Sequence, residues 1–153
     1  MQRIDSILTD HPFFQGMPPE HVQWIAGCAT LARFSAGERI FSAGEPAEHF
    51  YLVRHGMVAL EINVPGRGNI PIQTLAEGEI LGWSWLFPPY RWHYDARALD
   101  LMRVFAFDGK CLREKSEQDH DLGYELMKRF AQVMVQRLQG TRLQLLDVYG
   151  ILK

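Results

Sequence analysis

The residues best suited to hold a ligand lie in one stretch, Glu77 to Leu99, with the sequence EGEILGWSWLFPPYRWHYDARAL. Trp83, Trp85, Phe87, Tyr90, Trp92 and Tyr94 crowd around Pro88-Pro89, with Gly78 and Gly82 in front and Arg91 near the middle. A guanidinium offers a fork of donors to an anion, and aromatic faces offer flat apolar surfaces, so the chemistry on offer is non-covalent recognition of a small anionic or aromatic molecule. The glycines permit positive φ or close backbone approach, whereas two consecutive prolines fix φ and withhold two N–H donors. The stretch therefore reads as strand, tight turn, short helical turn, rigid loop and strand, and such loops on a rigid scaffold are where ligands usually sit. Composition alone equally allows a hydrophobic plug that seals one end of a β structure.

Other reactive side chains form no convincing set. A cupin-type metal site needs two closely spaced histidines, a carboxylate and a third histidine on converging strands. His49 and His55 straddle a turn, and His11, His21, His93 and His120 are scattered, so they read as surface or edge residues and no metal is expected. Ser84 has no neighbouring histidine in a nucleophile elbow, so no catalysis is expected. Cys28 and Cys111 are the only two cysteines and lack CxxC spacing. They are expected to be reduced thiols, with a disulfide between the pair as the less favoured alternative, and cannot supply a four-thiolate cluster.

These residues must be positioned by a chain of 153 residues with net charge −2. That length suits one domain with a helical appendage, and the charge gives none of the basic excess of a nucleic-acid binder. No apolar run is long enough to cross a bilayer, so a soluble, cytoplasmic chain with no membrane partner is expected. Three parts are expected: an N-terminal helical cap over 1–29, a β roll over 30–108, and a short helix plus a long C-terminal helix over 109–153. In the cap, Ile4, Ile7 and Leu8 have helical spacing, His11-Pro12 breaks the helix, and Pro18-Pro19-Glu20 opens a second one. That second helix should bury Val22, Ile25, Ala26 and Cys28. From Leu31 to Phe107, short β-prone runs punctuated by glycines predict strands near 30–34, 39–41, 49–54, 57–64, 69–75, 80–83, 94–99 and 102–107. Asn63 to Asn69 predicts a hairpin loop.

After Asp108 the period becomes helical, with a short helix over 109–118 and a long one opening near Asp119 or Asp121. Met127, Ala131, Met134, Leu138, Thr141, Leu145, Val148 and Leu152 fall at alternating steps of four and three, a heptad seam. Leu126, Phe130 and Val133 form a second stripe that stops early, as expected if only the first turns also pack on the roll. A helix of about 28 residues runs roughly 40 Å, longer than a small roll, so the far half is expected to pair with its symmetry mate. A helix lying wholly on its own roll is the alternative.

The order of these features resembles the cyclic-nucleotide-binding domain of the catabolite activator and FNR superfamily. FSAGERIFSAGEPAEHFYLVRHGMVAL at 34–60 carries that family's glycine turns at Gly37, Gly44 and Gly56 and its strand tyrosine at Tyr51, GEILGWSWLF at 78–87 matches its phosphate cassette, and RLQGT at 137–141 matches its dimer helix. The resemblance implies an α+β fold: a double-stranded β-helix, or jelly-roll-like β roll, with N-terminal helices and a long C-terminal dimerisation helix. It also implies a cyclic-phosphate site in which the short helical turn supplies N–H donors, an arginine pairs with the phosphate and a glutamate accepts from the ribose hydroxyl. Here Trp83 stands where the glutamate would be, and ungapped alignment puts Trp92 at the arginine position with Arg91 one residue earlier. Thr141 corresponds to a purine-contacting threonine, and Arg142 replaces the serine beside it. The expected ligand site is Leu81, Gly82, Trp83, Ser84, Trp85, Arg91, Trp92, Thr141 and Arg142.

The expected function is small-molecule sensing with a signalling or transcription-regulatory output through an unidentified protein partner. The ligand would be a cyclic nucleotide (cAMP or cGMP) or another small anionic or aromatic molecule, with weakened affinity for ribose. A ligand-free interaction or scaffold module is the alternative. A haem-sensing role, known in one branch of the superfamily, would need an axial ligand such as His93 or Cys111. The superfamily's helix-turn-helix needs about 60 further residues beyond the long helix, so direct DNA binding is not expected of a chain ending at Lys153.

Overall fold

A computed structural model describes residues 4–150. The cap consists of α1 (Ile4–Thr9), a 3-10 turn (Pro12–Phe14) and α2 (Pro19–Ala26). Eight strands follow: β1 (Ala29–Phe34), β2 (Arg39–Phe41), β3 (His49–His55), β4 (Val58–Val64), β5 (Gly68–Leu75), β6 (Ile80–Leu81), β7 (Asp95–Ala98) and β8 (Met102–Asp108). A second 3-10 turn (Ser84–Leu86) lies between β6 and β7, and α3 (Gly109–Gln118) and α4 (His120–Val148) close the chain. Antiparallel pairing builds two four-stranded sheets in the orders β1-β8-β3-β6 and β2-β7-β4-β5, which is the expected α+β roll.

The inner strands β3 and β8 of the first sheet lie between the helical core and the roll interior, so both their faces are largely buried and their centres read as apolar runs, whereas the edge strand β1 stays mostly exposed. Alternation still decides which core each residue joins. Phe50 and Leu52 of β3 and Phe105 and Phe107 of β8 join the helices, whereas Val53 and Val104 join the roll interior with Phe41, Leu60 and Trp92. The β4–β5 hairpin turns at the expected Asn63–Asn69 loop, and the two asparagine side chains are hydrogen bonded across it at 3.0 Å.

Asp108 caps α3 by accepting from the Cys111 N–H, and Asp119 caps α4 by accepting from the Asp121 and Leu122 N–H groups. The first half of α4 buries Leu122, Leu126 and Phe130 against the roll, and Val133 packs beside them. Arg129 fastens the same half to the cap: Nε donates to the Phe13 carbonyl at 2.8 Å, Nη2 to the Gln15 carbonyl at 2.7 Å, and Nη1 to the Glu125 carboxylate. Beyond Gly140 every described residue of α4 is exposed. Leu138, Leu145 and Val148 of the seam are 51%, 54% and 80% exposed, so the helix does not lie wholly on its own roll. Leu152 of the same seam lies outside the described residues.

Two expectations need correction. The strand expected over 80–83 ends at Leu81, because Gly82 takes φ +98° and turns the chain out of the ladder. The two cysteines are not free thiols: Cys28 and Cys111 form a disulfide with Cα atoms 5.8 Å apart. They meet because β1 and β8 pair antiparallel with Ala29 opposite Phe107, so the chain entering β1 and the chain leaving β8 share one end of the ladder. That proximity comes from strand register, which a separation of 83 residues does not reveal.

The cap and α4 depend on each other through Phe130 and Arg129. Phe130→Ala should lower unfolding stability by about 3–5 kcal/mol in a denaturant titration, the usual range for a buried phenyl ring. Arg129→Ala should cost about 1–3 kcal/mol in the same titration, since it leaves the Phe13 and Gln15 carbonyls without their donor.

Candidate functional site

β6 pairs with Tyr51 and Leu52 of β3, which places the cassette at the seam between the two sheets and α3. After Gly82 comes Trp83, then the 3-10 turn, then a loop with a cis Pro88-Pro89 bond and Tyr90 at φ +56°. The chain is next locked to the β2–β3 loop: the Trp92 N–H donates to the Glu45 carbonyl at 3.0 Å and the Gly44 N–H donates to the Trp92 carbonyl at 2.8 Å. Along such an extended segment neighbouring side chains face opposite ways. Trp92 goes in and Arg91 goes out.

Inside the roll the Trp92 indole is stacked on Phe41, with centroids 3.7 Å apart and planes at 7°, and is 4% exposed. Its ring edge lies on the backbone of Gly82. A Cβ at Gly82 would be 2.5 Å from Trp92 Cη2, so only glycine fits, and the place above that backbone is occupied by the indole. Arg91 is exposed, and its Nη1 donates to the Gly44 carbonyl at 2.7 Å. The guanidinium is thus held on the outside of the loop.

The remaining expected site residues divide between two places. Leu81 is buried in the roll interior beside Trp92. Ser84 and Trp85 are buried on the helical side, where Trp85 stacks on Phe50 at 5.3 Å and meets Phe130 edge-on at 5.5 Å. Thr141 and Arg142 are exposed on α4, and the Thr141 hydroxyl donates within its own helix to the Arg137 carbonyl at 2.9 Å. The α4 residue over Trp83 is Arg137, one turn before Thr141, with its guanidinium carbon 4.9 Å from the Trp83 ring centroid. The RLQGT motif contains Arg137, yet the resemblance gives that residue no role. The helical step of four from Thr141 is the signal that points to it.

Arg137 is electrostatically unusual. Burial lowers its pKa, the charges of Tyr94 and Glu79 oppose that shift, and its Nη1 is buried with no hydrogen-bond partner among the described residues. Burial in turn raises the Tyr94 phenol, against the pull of Arg137. Arg137 also lines a cavity of about 640 Å³ between the cap, the β5–β6 turn and α4, together with Gln73, Glu79, Gln132 and Gln136. The arrangement supplies an indole face and an under-satisfied cation, which are means of recognition. Among the described residues no three His, Cys, Asp or Glu side chains converge as a metal site, and Cys111 is committed to its disulfide.

Comparison with known proteins agrees with the fold. Residues 31–119 match the sequence profile of the cyclic nucleotide-binding domain. The CRP-like cAMP-activated global transcriptional regulator of Mycobacterium tuberculosis is 24% identical over 146 residues, covering 95% of this chain and 63% of that protein. The chain therefore spans less than two thirds of that relative's length. A solved structure of a candidate cyclic nucleotide-binding protein from Geobacter metallireducens GS-15 superposes with a TM-score of 0.80 at 29% identity, covering 90% of this chain and 99% of that one. The catabolite activator protein of Thermus thermophilus shares the fold at a TM-score of 0.71 and 23% identity, covering 91% of this chain and 63% of that one. With roll, cassette and long helix in that family's order, the chain belongs to the cyclic nucleotide-binding domain family.

Proposed function

We propose that the chain is a non-catalytic regulatory domain that pairs with a second copy through α4 and whose cyclic-phosphate seat is filled by its own Trp92. The observation that carries this reading is the indole edge resting on Gly82 and stacked on Phe41. A cyclic phosphate needs those backbone donors and a cation beside them. Here Trp92 lies on Gly82, just ahead of the turn that would supply the donors, and Arg91 is turned outward to Gly44. The ribose acceptor is also absent, because Trp83 stands in its place, and an unmade polar contact costs about 1–3 kcal/mol. The effector that suits the remaining groups is a small anionic or aromatic molecule that meets Trp83 and Arg137 at the mouth of the site, reached from the cavity beside α4. The output passes through a protein partner inside the cell. A second reading, a ligand-free interaction module, is favoured by the closed packing of Trp92 and Trp85.

Titrating tryptophan fluorescence with cyclic AMP, cyclic GMP and cyclic dinucleotides should give no saturable change for the wild-type chain up to about 1 mM, where binding is worth only about 4 kcal/mol. Trp92→Arg should gain a saturable response to cyclic AMP, and Trp92→Leu should separate that gain from simple opening of the cavity. Micromolar binding by the wild type would overturn the filled-seat reading. Native mass spectrometry of the purified chain distinguishes the two readings, since a retained small molecule favours the sensor and its absence favours the interaction module.

The half-exposed Leu138 lies at the middle of the seam, so Leu138→Asp should convert a dimer to a monomer in sedimentation velocity while leaving circular dichroism unchanged. A wild-type chain that sediments as a monomer at all concentrations would remove the helix-pairing part of the proposal.

A further inference from the structure

We propose that the Cys28–Cys111 disulfide is a redox switch that sets the position of α3 and, through it, the cassette. The bond joins the residue just before β1 to the first turn of α3. That helix is also what holds the cassette from behind. Arg113 Nη1 donates to the Trp85 carbonyl, the Arg113 guanidinium lies 4.3 Å over the Tyr90 ring, and Gly109 is packed so closely under Trp85 that a Cβ there would be 2.8 Å from the Trp85 Cβ. On its other side α3 packs on α4, where Gly123 sits against Ser116. A change in α3 therefore has direct contacts through which to reach both the cassette and the helix expected to pair.

With the disulfide formed, α3 is held to the cap by that bond and by Lys115, whose Nζ donates to the Trp24 carbonyl at 2.6 Å. A cavity of about 350 Å³, walled by Trp85, Tyr90, Arg113, His120 and Met127 among others, separates the cassette from the α3–α4 junction and gives those groups room to shift. Cys28 is nearly buried while Cys111 is partly exposed, so an attacking thiolate reaches the bond from the α3 side. A dithiol reductant supplies two electrons and two protons. Its thiolate attacks the Cys111 sulfur, the S–S bond breaks, Cys28 and then Cys111 leave as thiols, and the reductant closes its own disulfide. Disulfides inside cells are commonly transient and redox-sensing, so this inference rests on the intracellular regulatory reading above.

The four tryptophans report separately on the parts involved. Trp24 lies beside Lys115, Trp85 lies under α3, Trp83 lies on Arg137, and Trp92 is in the roll interior. The full chain labelled with 5-fluorotryptophan is compared by ¹⁹F NMR before and after dithiothreitol, with free thiols counted by mass. The switch requires that two thiols appear without denaturant, that the Trp24, Trp85 and Trp83 resonances move while Trp92 stays, and that oxidised glutathione restores the first spectrum. The double variant Cys28→Ser/Cys111→Ser should match the reduced spectrum and ignore reductant. If that variant fails to fold, the wild-type reduction still decides. A shift confined to Trp24, collapse of all four resonances to unfolded positions, or failure to release thiols would each overturn the proposal. The thiol count and the Trp24 shift do not depend on ligand or dimer, so failure here is distinguishable from failure of the sensor reading.

Discussion

An aromatic stack at the meeting point of four elements holds this molecule together. Phe50 of β3 lies parallel to Phe107 of β8 at 4.4 Å and to Trp85 of the cassette at 5.3 Å, and Phe130 of α4 meets Phe50 edge-on at 5.0 Å. Phe13 of the cap reaches Phe130 at 5.4 Å. Each ring buries a large apolar area, and offset and edge-to-face geometries add about 0.5–1.5 kcal/mol per pair beyond it. The cluster is contributed by segments far apart in sequence, so none of them has its present position alone. It also makes the cassette part of the core on the helical side.

On the other side of the same sheet the roll interior is closed by a different tryptophan. Trp92 stacks on Phe41 and makes close contact with Gly82. A cation buried at that depth needs a partner to offset its desolvation, whereas an indole needs only shape. The roll interior beside Gly82 is therefore packed by the chain's own indole. Arg137 is the counter-case, a guanidinium drawn partly out of water over Trp83 with one donor nitrogen unmatched. Such an unmatched donor is where added polar contact from outside gains most.

α4 experiences two environments along one helix. Its first four turns are fixed by Leu122, Leu126, Phe130 and the Arg129 clamp. Beyond Gly140 its described residues are exposed, Gln144 donates to the Ile72 carbonyl at 3.1 Å, and Leu145 and Val148 face solvent, as does Leu138 just before them. The seam at steps of four and three and the early end of the Leu126–Phe130–Val133 stripe are the sequence form of this division.

The sequence determined the order and type of the elements: eight strands between glycine turns, a cap broken at His11-Pro12, and two helices after Asp108, the second opening near Asp119 or Asp121. Those signals are local, since alternation, capping and turn chemistry act over a few residues. The resemblance pointed to the cassette and to Trp83 where its glutamate would stand, and left the role of Arg91 open. What the sequence left open was which way neighbouring side chains face and which distant residues meet. Arg91 and Trp92 are adjacent in the chain, and only the pairing of this segment with the β2–β3 loop decided that the indole enters the roll and the guanidinium leaves it. Likewise, only the β1–β8 register brought Cys28 to Cys111, and only the docking of α4 put Arg137, rather than Thr141 or Arg142, over Trp83. Each of these is a matter of facing and register, and a one-residue change in either exchanges inside for outside without altering the local pattern.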